Sequence, residues 1–197
     1  AVGTVDSWIV ARLTGGRVHV TDHTNASRTL LYGLAARRWD PDLLALFGVP
    51  AALLPTIVRS SGVVAESDPE AFGASLPIAG LAGDQQAALF GQGGVTPGAA
   101  KVTFGTGAFL LEYTGAELRR SRHGLLTTAA CGPAGEPAYA LEGSLFIAGA
   151  AVQWRRDGLG IIATAADTDA SARRVPDTGG VHFVAAFAGL GSPYWDV

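Results

Sequence analysis

Asp84 is the first residue that could do chemistry, because it stands where a predicted strand meets a predicted helix. Residues 76–82 are apolar and predict a buried strand, which ends at Gly83, and an Ala-rich helix follows at once. A carboxylate in this position can cap the helix or face a ligand held at the helix end. In α/β proteins, sites are usually built at such junctions, outside the carboxyl ends of strands. Asp84 is therefore a candidate catalytic residue, with a plain helix cap as the alternative.

The turn formed by Gly105, Thr106 and Gly107 is the second chemical feature. It is the tip of a predicted β-hairpin whose strands span residues 100–104 and 108–113. Glycines allow main-chain N–H groups to point into a concavity, and the Thr106 hydroxyl adds a donor, so the turn suits phosphate oxygens. An ordinary hairpin turn is the alternative.

Residues 93–98 lie between the two features and are predicted to form a hinge. The stretch 91–98 contains four glycines and a proline, and the composition changes on either side of it. A carboxylate on one lobe and a phosphate-binding turn on the other would form a cleft that closes on two ligands. Phosphoryl transfer needs an oriented hydroxyl, a carboxylate that accepts its proton, and fixed donors around the transferred group.

The surrounding pattern predicts two α/β lobes, both incomplete in this chain. Helices are predicted at residues 4–13, 29–36, 43–47 and 145–159, and further strands at residues 125–130, 138–141 and 181–186. Gly149 and Gln153 are four residues apart on the last predicted helix, so they share one of its faces. The polar run 21–28 is predicted to be a loop or the wall of a cleft.

The composition disfavours several classes of protein. The net charge is −3 and the 13 arginines are dispersed, so a nucleic-acid partner is not expected. The single cysteine, Cys131, excludes an internal disulfide framework, fits a reducing cytosol, and is expected to be a core residue. The longest apolar run, residues 143–152, is far shorter than the roughly 20 residues that span a bilayer. We therefore expect a cytoplasmic protein without a transmembrane segment.

Other types of site have weak support in the sequence. The four histidines are scattered without the spacing of metal ligands, so no metal site is identifiable in this chain. No Walker A loop, nucleophile elbow or Rossmann glycine fingerprint is present. The chain also contains no methionine and starts with Ala1, from which we expect a processed chain or, more simply, a fragment.

Several longer motifs resemble the FGGY carbohydrate kinase family, and they run through nearly the whole chain. The matching stretches are residues 3–8, 24–29, 83–91, 105–107, 121–128, 149–154, 175–180 and 193–196. The most specific is the Gly-Asp-Gln-Gln motif at residues 83–86, because related pentulose kinases carry other residues after the acid. The resemblance implies an actin-like ATPase (ribonuclease H-like) two-lobed α/β fold. It assigns residues 1–92 to the N-terminal lobe, 93–98 to the hinge and 99–197 to the C-terminal lobe.

The resemblance also implies a function and a role for each matching site residue. The implied reaction is the ATP-dependent phosphorylation of glycerol to sn-glycerol 3-phosphate. Asp84 would be the general base, Gln85 would bind another hydroxyl, and Phe109 would pack on the carbon chain of glycerol. The residues that would bind ATP or ADP are Gly105, Thr106, Gly107, Gly149 and Gln153.

The resemblance further implies parts that would lie outside these 197 residues. Mg²⁺ and its associated acid, the rest of the glycerol site, and an adenine-binding segment would be found there. We therefore expect the isolated chain to be inactive and the full-length enzyme to form a homo-oligomer. Ser75 stands where some bacterial members have an arginine that binds fructose 1,6-bisphosphate, so we expect that inhibition to be weak or absent.

Two alternatives stay open from the sequence. One is a kinase of the same family that acts on another polyol or a ketose. The other is a non-catalytic, actin-like module that binds a nucleotide and a protein partner.

Overall fold

A computed structural model describes residues 1–196 of the chain, and Val197, the end of the predicted 99–197 lobe, lies outside the described residues. The chain divides into two compact units. Unit 1 comprises Ala1–Lys101, Leu111–Ser121 and Leu126–Glu142, and unit 2 comprises Val102–Leu110, Arg122–Leu125 and the described residues from Gly143 onward.

The helices of both units are short. Helices α1 to α7 span Val5–Leu13, His23–Ala26, Pro41–Phe47, Pro69–Phe72, Asp84–Gly91, Gly149–Gln153 and Asp167–Ala172. A 3₁₀ turn lies at Ala51–Leu53, and a π-helical turn, Trp154–Gly158, continues α6. Within residues 1–196, no helix is long and apolar enough to cross a membrane.

The strands form small sheets and one larger sheet. Strands β1 to β10 span Val20–Asp22, Tyr32–Gly33, Arg38–Trp39, Thr56–Val58, Ser61–Glu66, Pro77–Gly80, Ala100–Phe104, Ala108–Gly115, Leu126–Cys131 and Pro137–Leu145. The larger sheet has the order β7-β8-β10-β9. Strands β1 and β4 pair in parallel, whereas β2–β3 and β5–β6 are antiparallel pairs.

Local signals explain the elements that the sequence predicted well. Helix α3 begins where the Asp40 carboxylate accepts hydrogen bonds from the N–H groups of Asp42 and Leu43. Pro41 occupies the first turn, where it has no N–H to leave unpaired, and Gly48 ends the helix in the left-handed conformation. The predicted hairpin is also present, as β7, the turn at 105–107, and β8.

Three predicted elements are wrong or misplaced. Residues 29–36 form no helix, because Leu30 adopts a positive φ of 61° and the chain then enters strand β2. Residues 181–186 form no regular strand. The helix predicted at 145–159 begins only at Gly149, because residues 137–145 belong to the long strand β10.

The strand before Asp84 is also shorter and less buried than predicted. Strand β6 covers Pro77–Gly80, and its residues are exposed apart from the half-buried Ile78. Burial resumes after the strand, at Leu81, which packs with Val10 and Val20 in a small apolar cluster. The apolar residues at 76–82 thus lie partly in strand β6 and partly in the link between this strand and helix α5.

The main core of unit 1 lies between helix α5 and the larger sheet. Leu89 from α5 packs there against Leu111 and Tyr113 from β8 and against alanines from β9 and β10. The small alanines on the sheet allow the helix to approach closely. Cys131 at the end of β9 is buried, as predicted, and burial raises the pKa of its thiol.

Truncation of Leu111 tests this core. Its side chain is fully buried at 0% exposure, so Leu111→Ala should lower the free energy of unfolding by about 2–5 kcal/mol through lost apolar contact and a new cavity. Urea unfolding measures the change. The matched control is Leu46→Ala on α3, where the leucine is 75% exposed and the expected change is below about 0.5 kcal/mol. Equal effects of the two substitutions would contradict the proposed core.

Candidate functional site

Asp84 is the first residue of helix α5, and its side chain is exposed. The helix-cap position is taken by Gly83, so Asp84 is not the N-cap residue but the first residue inside the helix, and a role confined to the helix start stays the alternative. One carboxylate oxygen, Oδ1, accepts a hydrogen bond of 2.8 Å from the N–H of Gln85. The helix start therefore holds a carboxylate at the protein surface, where the helix dipole favours its negative charge.

Gln85 lies beside this carboxylate and is held by a lysine from strand β7. Its Nε2 is 3.3 Å from Asp84 Oδ2, and its Oε1 accepts a hydrogen bond of 2.5 Å from Lys101 Nζ. Lys101 is buried, and that burial lowers the pKa of its ammonium group, while the charges of Asp84 and Glu142 act to raise it. The sequence analysis did not identify Lys101.

A buried carboxylate fixes the chain just before Asp84. Asp22 is 0% exposed, caps helix α2 by accepting the N–H groups of Thr24 and Asn25, and accepts the Ser60 hydroxyl at 2.6 Å. The Thr24 hydroxyl also donates to Asp22, and its oxygen accepts the N–H of Gly83 at 2.8 Å. This chain of hydrogen bonds anchors the peptide that leads into Asp84.

The polar run 21–28 is thus not a plain loop, and its side chains form hydrogen bonds inside the protein. It forms strand β1 and helix α2, and Arg28 at its end makes a two-fold ion pair with Glu142 at 2.5 and 3.0 Å. Glu142 is 1% exposed, so this geometry pairs a buried charge that would otherwise be costly. The many short polar side chains in 21–28 indicated that this stretch forms hydrogen bonds, but the sequence did not show which distant groups would be their partners.

The turn at 105–107 belongs to unit 2 and packs against the start of helix α6. The N–H groups of Ala148 and Ala150 donate to the Thr106 carbonyl, and that of Gly149 donates to the Gly105 carbonyl. The turn carbonyls thus bind N–H groups at the beginning of α6. Within the turn, the Gly105 N–H donates to the Gly107 carbonyl at 2.8 Å, so a phosphate at this turn would depend on other groups, including the exposed Thr106.

Two glycines permit this close packing. A Cβ at Gly149 would lie 2.5 Å from the Gly105 carbonyl oxygen, and a Cβ at Gly107 would lie 2.4 Å from the Leu145 carbonyl oxygen. Both distances are shorter than any side-chain carbon tolerates, so only glycine fits while the turn keeps this position.

The other predicted site residues of unit 2 lie near this turn in the chain. Gln153 is the last residue of α6 and is exposed, and Gly149 is the first, so both belong to one helix as predicted. Phe109 follows the turn on strand β8 and is half-buried. The structure thus groups the predicted site residues by unit, with Asp84 and Gln85 in unit 1 and the others in unit 2.

Two further features bear on ligands. In the part of the chain that the structure describes, no group of three His, Cys, Asp or Glu side chains could hold a metal ion. Ser75, at the position of the expected arginine, donates a hydrogen bond to Glu66 on the exposed surface, and its effect on inhibition stays a prediction.

Comparison with known proteins identifies the class. The model of the N-terminal domain of the FGGY family of carbohydrate kinases matches residues 1–91, and the model of the C-terminal domain matches residues 100–197. The chain belongs to the FGGY family of carbohydrate kinases. The resemblance noted in the sequence is thereby confirmed, and so is the actin-like ATPase class of α/β fold.

Individual relatives and solved structures show which members of the family the chain is similar to. The chain is 58% identical over 196 residues to a glycerol kinase of Carboxydothermus hydrogenoformans and 59% identical to one of Alkalilimnicola ehrlichii, and it is covered to 99% and 100%. A glycerol kinase of Plasmodium falciparum, solved with ADP, matches 98% of the chain with a TM-score of 0.86 and 36% identity. A xylulose kinase of Rhodospirillum rubrum matches 96% with a TM-score of 0.78 and 26% identity. The chain spans 39–40% of the length of these proteins.

Gly149→Ala tests the packing of the turn on helix α6. The added methyl group would overlap the Gly105 carbonyl, so we expect the free energy of unfolding to fall by about 1–3 kcal/mol. The control is Gly91→Ala at the end of α5, where a Cβ meets nothing within 4 Å. There, alanine should be neutral or stabilise by up to about 1 kcal/mol. Thermal unfolding of both variants measures the difference, and a neutral Gly149→Ala would show that the turn is not held in this position.

Proposed function

We propose that this chain is the central part of an enzyme that phosphorylates glycerol with ATP and yields sn-glycerol 3-phosphate and ADP. The observation that carries the proposal is the exposed Asp84 at the start of α5, with the Gln85 amide beside it and Lys101 behind it. A module that only bound nucleotide would need no carboxylate in this position. The names of the relatives support glycerol as the acceptor.

In this mechanism, Asp84 acts as the general base. Its Oδ2, which has only the longer contact of 3.3 Å with the Gln85 amide, accepts the proton of a terminal hydroxyl of glycerol as that hydroxyl oxygen attacks the γ-phosphorus. The new O–P bond forms in line with the bond to the leaving oxygen of ADP, which breaks. Base catalysis of this kind contributes about 10²–10⁴-fold to a rate.

Gln85 and Phe109 are proposed to hold the acceptor. The Gln85 amide would donate to another hydroxyl oxygen of glycerol, and Phe109 would pack on its carbon chain. A three-carbon polyol has one apolar face and several hydroxyls, which suits one aromatic ring and one amide.

The turn at 105–107 and helix α6 are proposed to form the nucleotide side. The Thr106 hydroxyl and the glycines around it would bind the terminal phosphates, and Gly149 and Gln153 would line the same site. The ADP in the Plasmodium falciparum relative supports nucleotide binding in this family. Mg²⁺ would neutralise phosphate charge during transfer, but no described residues form a cluster for it, so we assign none of them to the ion.

The division into residues 1–92, a hinge at 93–98 and residues 99–197 is also part of the proposal. The two family models support it, because one ends at residue 91 and the other begins at residue 100. The compact units divide the chain differently, since unit 1 contains residues 93–98 together with 111–121 and 126–142. A homo-oligomeric full-length enzyme and a cytoplasmic location stay predictions from the sequence.

The proposal is tested by ADP release from the full-length enzyme with glycerol, with xylulose and without an acceptor. We expect release that depends on glycerol and falls at least about 10²-fold in Asp84→Asn, because the amide cannot accept the proton. Nucleotide affinity should change less than twofold. Asp42→Asn is the matched control, because Asp42 is another exposed acid in the first turn of a helix, α3, and should keep full activity.

The other outcomes decide between the alternatives. A preference for xylulose would keep the mechanism but assign the enzyme to another substrate of the family. Absence of any acceptor-dependent release would favour the non-catalytic module. An equal loss of nucleotide binding and transfer in Asp84→Asn would contradict the role of Asp84 as base.

A further inference from the structure

Lys101 is unusual both in the composition of the chain and in its place in the structure. It is the only lysine in the sequence, since the other 13 of the 14 basic side chains are arginines. It lies on strand β7 and is 4% exposed, although lysine is almost never fully buried unless it is paired. A buried lysine in a chain that otherwise uses arginine calls for a specific role.

The contact of Lys101 defines which way the Gln85 amide points. An ammonium group can only donate hydrogen bonds, so the Gln85 atom 2.5 Å from Lys101 Nζ must be the carbonyl oxygen. The amide NH₂ group therefore lies on the other side, 3.3 Å from Asp84 Oδ2. With the amide reversed, its NH₂ would face the ammonium, and its oxygen would face a carboxylate, so both contacts would be repulsive.

The charges around Lys101 counteract part of the effect of its burial. Burial is the larger effect and lowers the pKa of the ammonium group from its ordinary value, whereas the carboxylates of Asp84 and Glu142 act to raise it. Glu142 is itself paired with Arg28. The ammonium thus lies in the field of two carboxylates, one of which is the proposed base.

The shape of the side chain explains why lysine rather than arginine serves here. An ammonium is a compact point charge, whereas a guanidinium is a planar fork that needs partners on several sides. The Gln85 amide oxygen on helix α5 is an acceptor that the compact ammonium group reaches at 2.5 Å.

We propose that Lys101 is a positioning residue that holds the Gln85 amide with its NH₂ group toward Asp84 and the acceptor. This rests on the proposed function. A fixed NH₂ donor next to the base selects an acceptor that presents a hydroxyl oxygen at this point. Lys101 acts on the acceptor through Gln85 and does not touch the phosphates.

A double-mutant cycle in the full-length enzyme tests the proposal, with the Michaelis constants for glycerol and ATP as readouts. Lys101→Met keeps the apolar stem and removes the charge, and we expect it to raise KM for glycerol about tenfold with KM for ATP unchanged, because one hydrogen bond to the acceptor is lost. In the Gln85→Ala background, the same substitution should change KM for glycerol less than twofold. Arg119→Met, which removes an exposed cation, is the control and should leave both constants unchanged.

A second measurement tests the contact without relying on activity. In enzyme labelled with ¹⁵N-lysine, the side-chain NH₃⁺ resonance missing from Lys101→Met identifies Lys101, and Gln85→Ala should shift that resonance. An unshifted resonance would overturn the proposal even if the enzyme phosphorylates glycerol. So would an effect of Lys101→Met that is equally large with and without Gln85, or that raises both Michaelis constants together. A shifted resonance in an enzyme that ignores glycerol would instead overturn the proposed function, and the role of Lys101 in acceptor selection with it.

Discussion

The buried carboxylate of Asp22 is the constraint on which unit 1 depends. A charge removed from water must be met by donors, and Asp22 gathers them from its own helix, from Ser60 and from Thr24. The Thr24 hydroxyl donates to Asp22, and its oxygen accepts the N–H of Gly83. The hydrogen bonds that satisfy the buried charge therefore also position Gly83, the residue before Asp84. The candidate base is therefore placed by a group that never meets the substrate.

Asp84 and Asp22 carry the same side chain, but one is exposed and the other is buried, and this difference in burial gives them different roles. Asp22 has its oxygens occupied by the protein and serves as an anchor. Asp84 uses one oxygen for the N–H of the next residue and keeps an exposed position at the positive end of a helix. Its other oxygen has the 3.3 Å contact with the Gln85 amide, but the carboxylate is exposed, so only this second arrangement lets a ligand reach it for proton transfer.

In unit 2, backbone hydrogen bonds rather than buried charges position the candidate site residues. The carbonyls of the turn at 105–107 accept the N–H groups at the start of α6, so the turn and the helix hold each other. Glycine is required at 107 and 149 because the carbonyl oxygens approach to within 2.4–2.5 Å of where a side chain would begin. These contacts fix the turn on the helix while the Thr106 side chain stays exposed.

The sequence by itself determined the features that depend on neighbouring residues. Helix α3 follows from Asp40, Pro41 and Gly48, and the hairpin follows from a glycine turn between two apolar runs, because caps and turns are local interactions. The sequence pattern did not determine residues 29–36, which turn at Leu30 and enter strand β2, or residues 181–186, which are mostly exposed and form no regular element. The tertiary structure alone decided the partners of the candidate site. Thr24 meets Gly83 across 59 residues and Lys101 meets Gln85 across 16, and no spacing in the sequence encodes a contact that forms only when distant elements pack together.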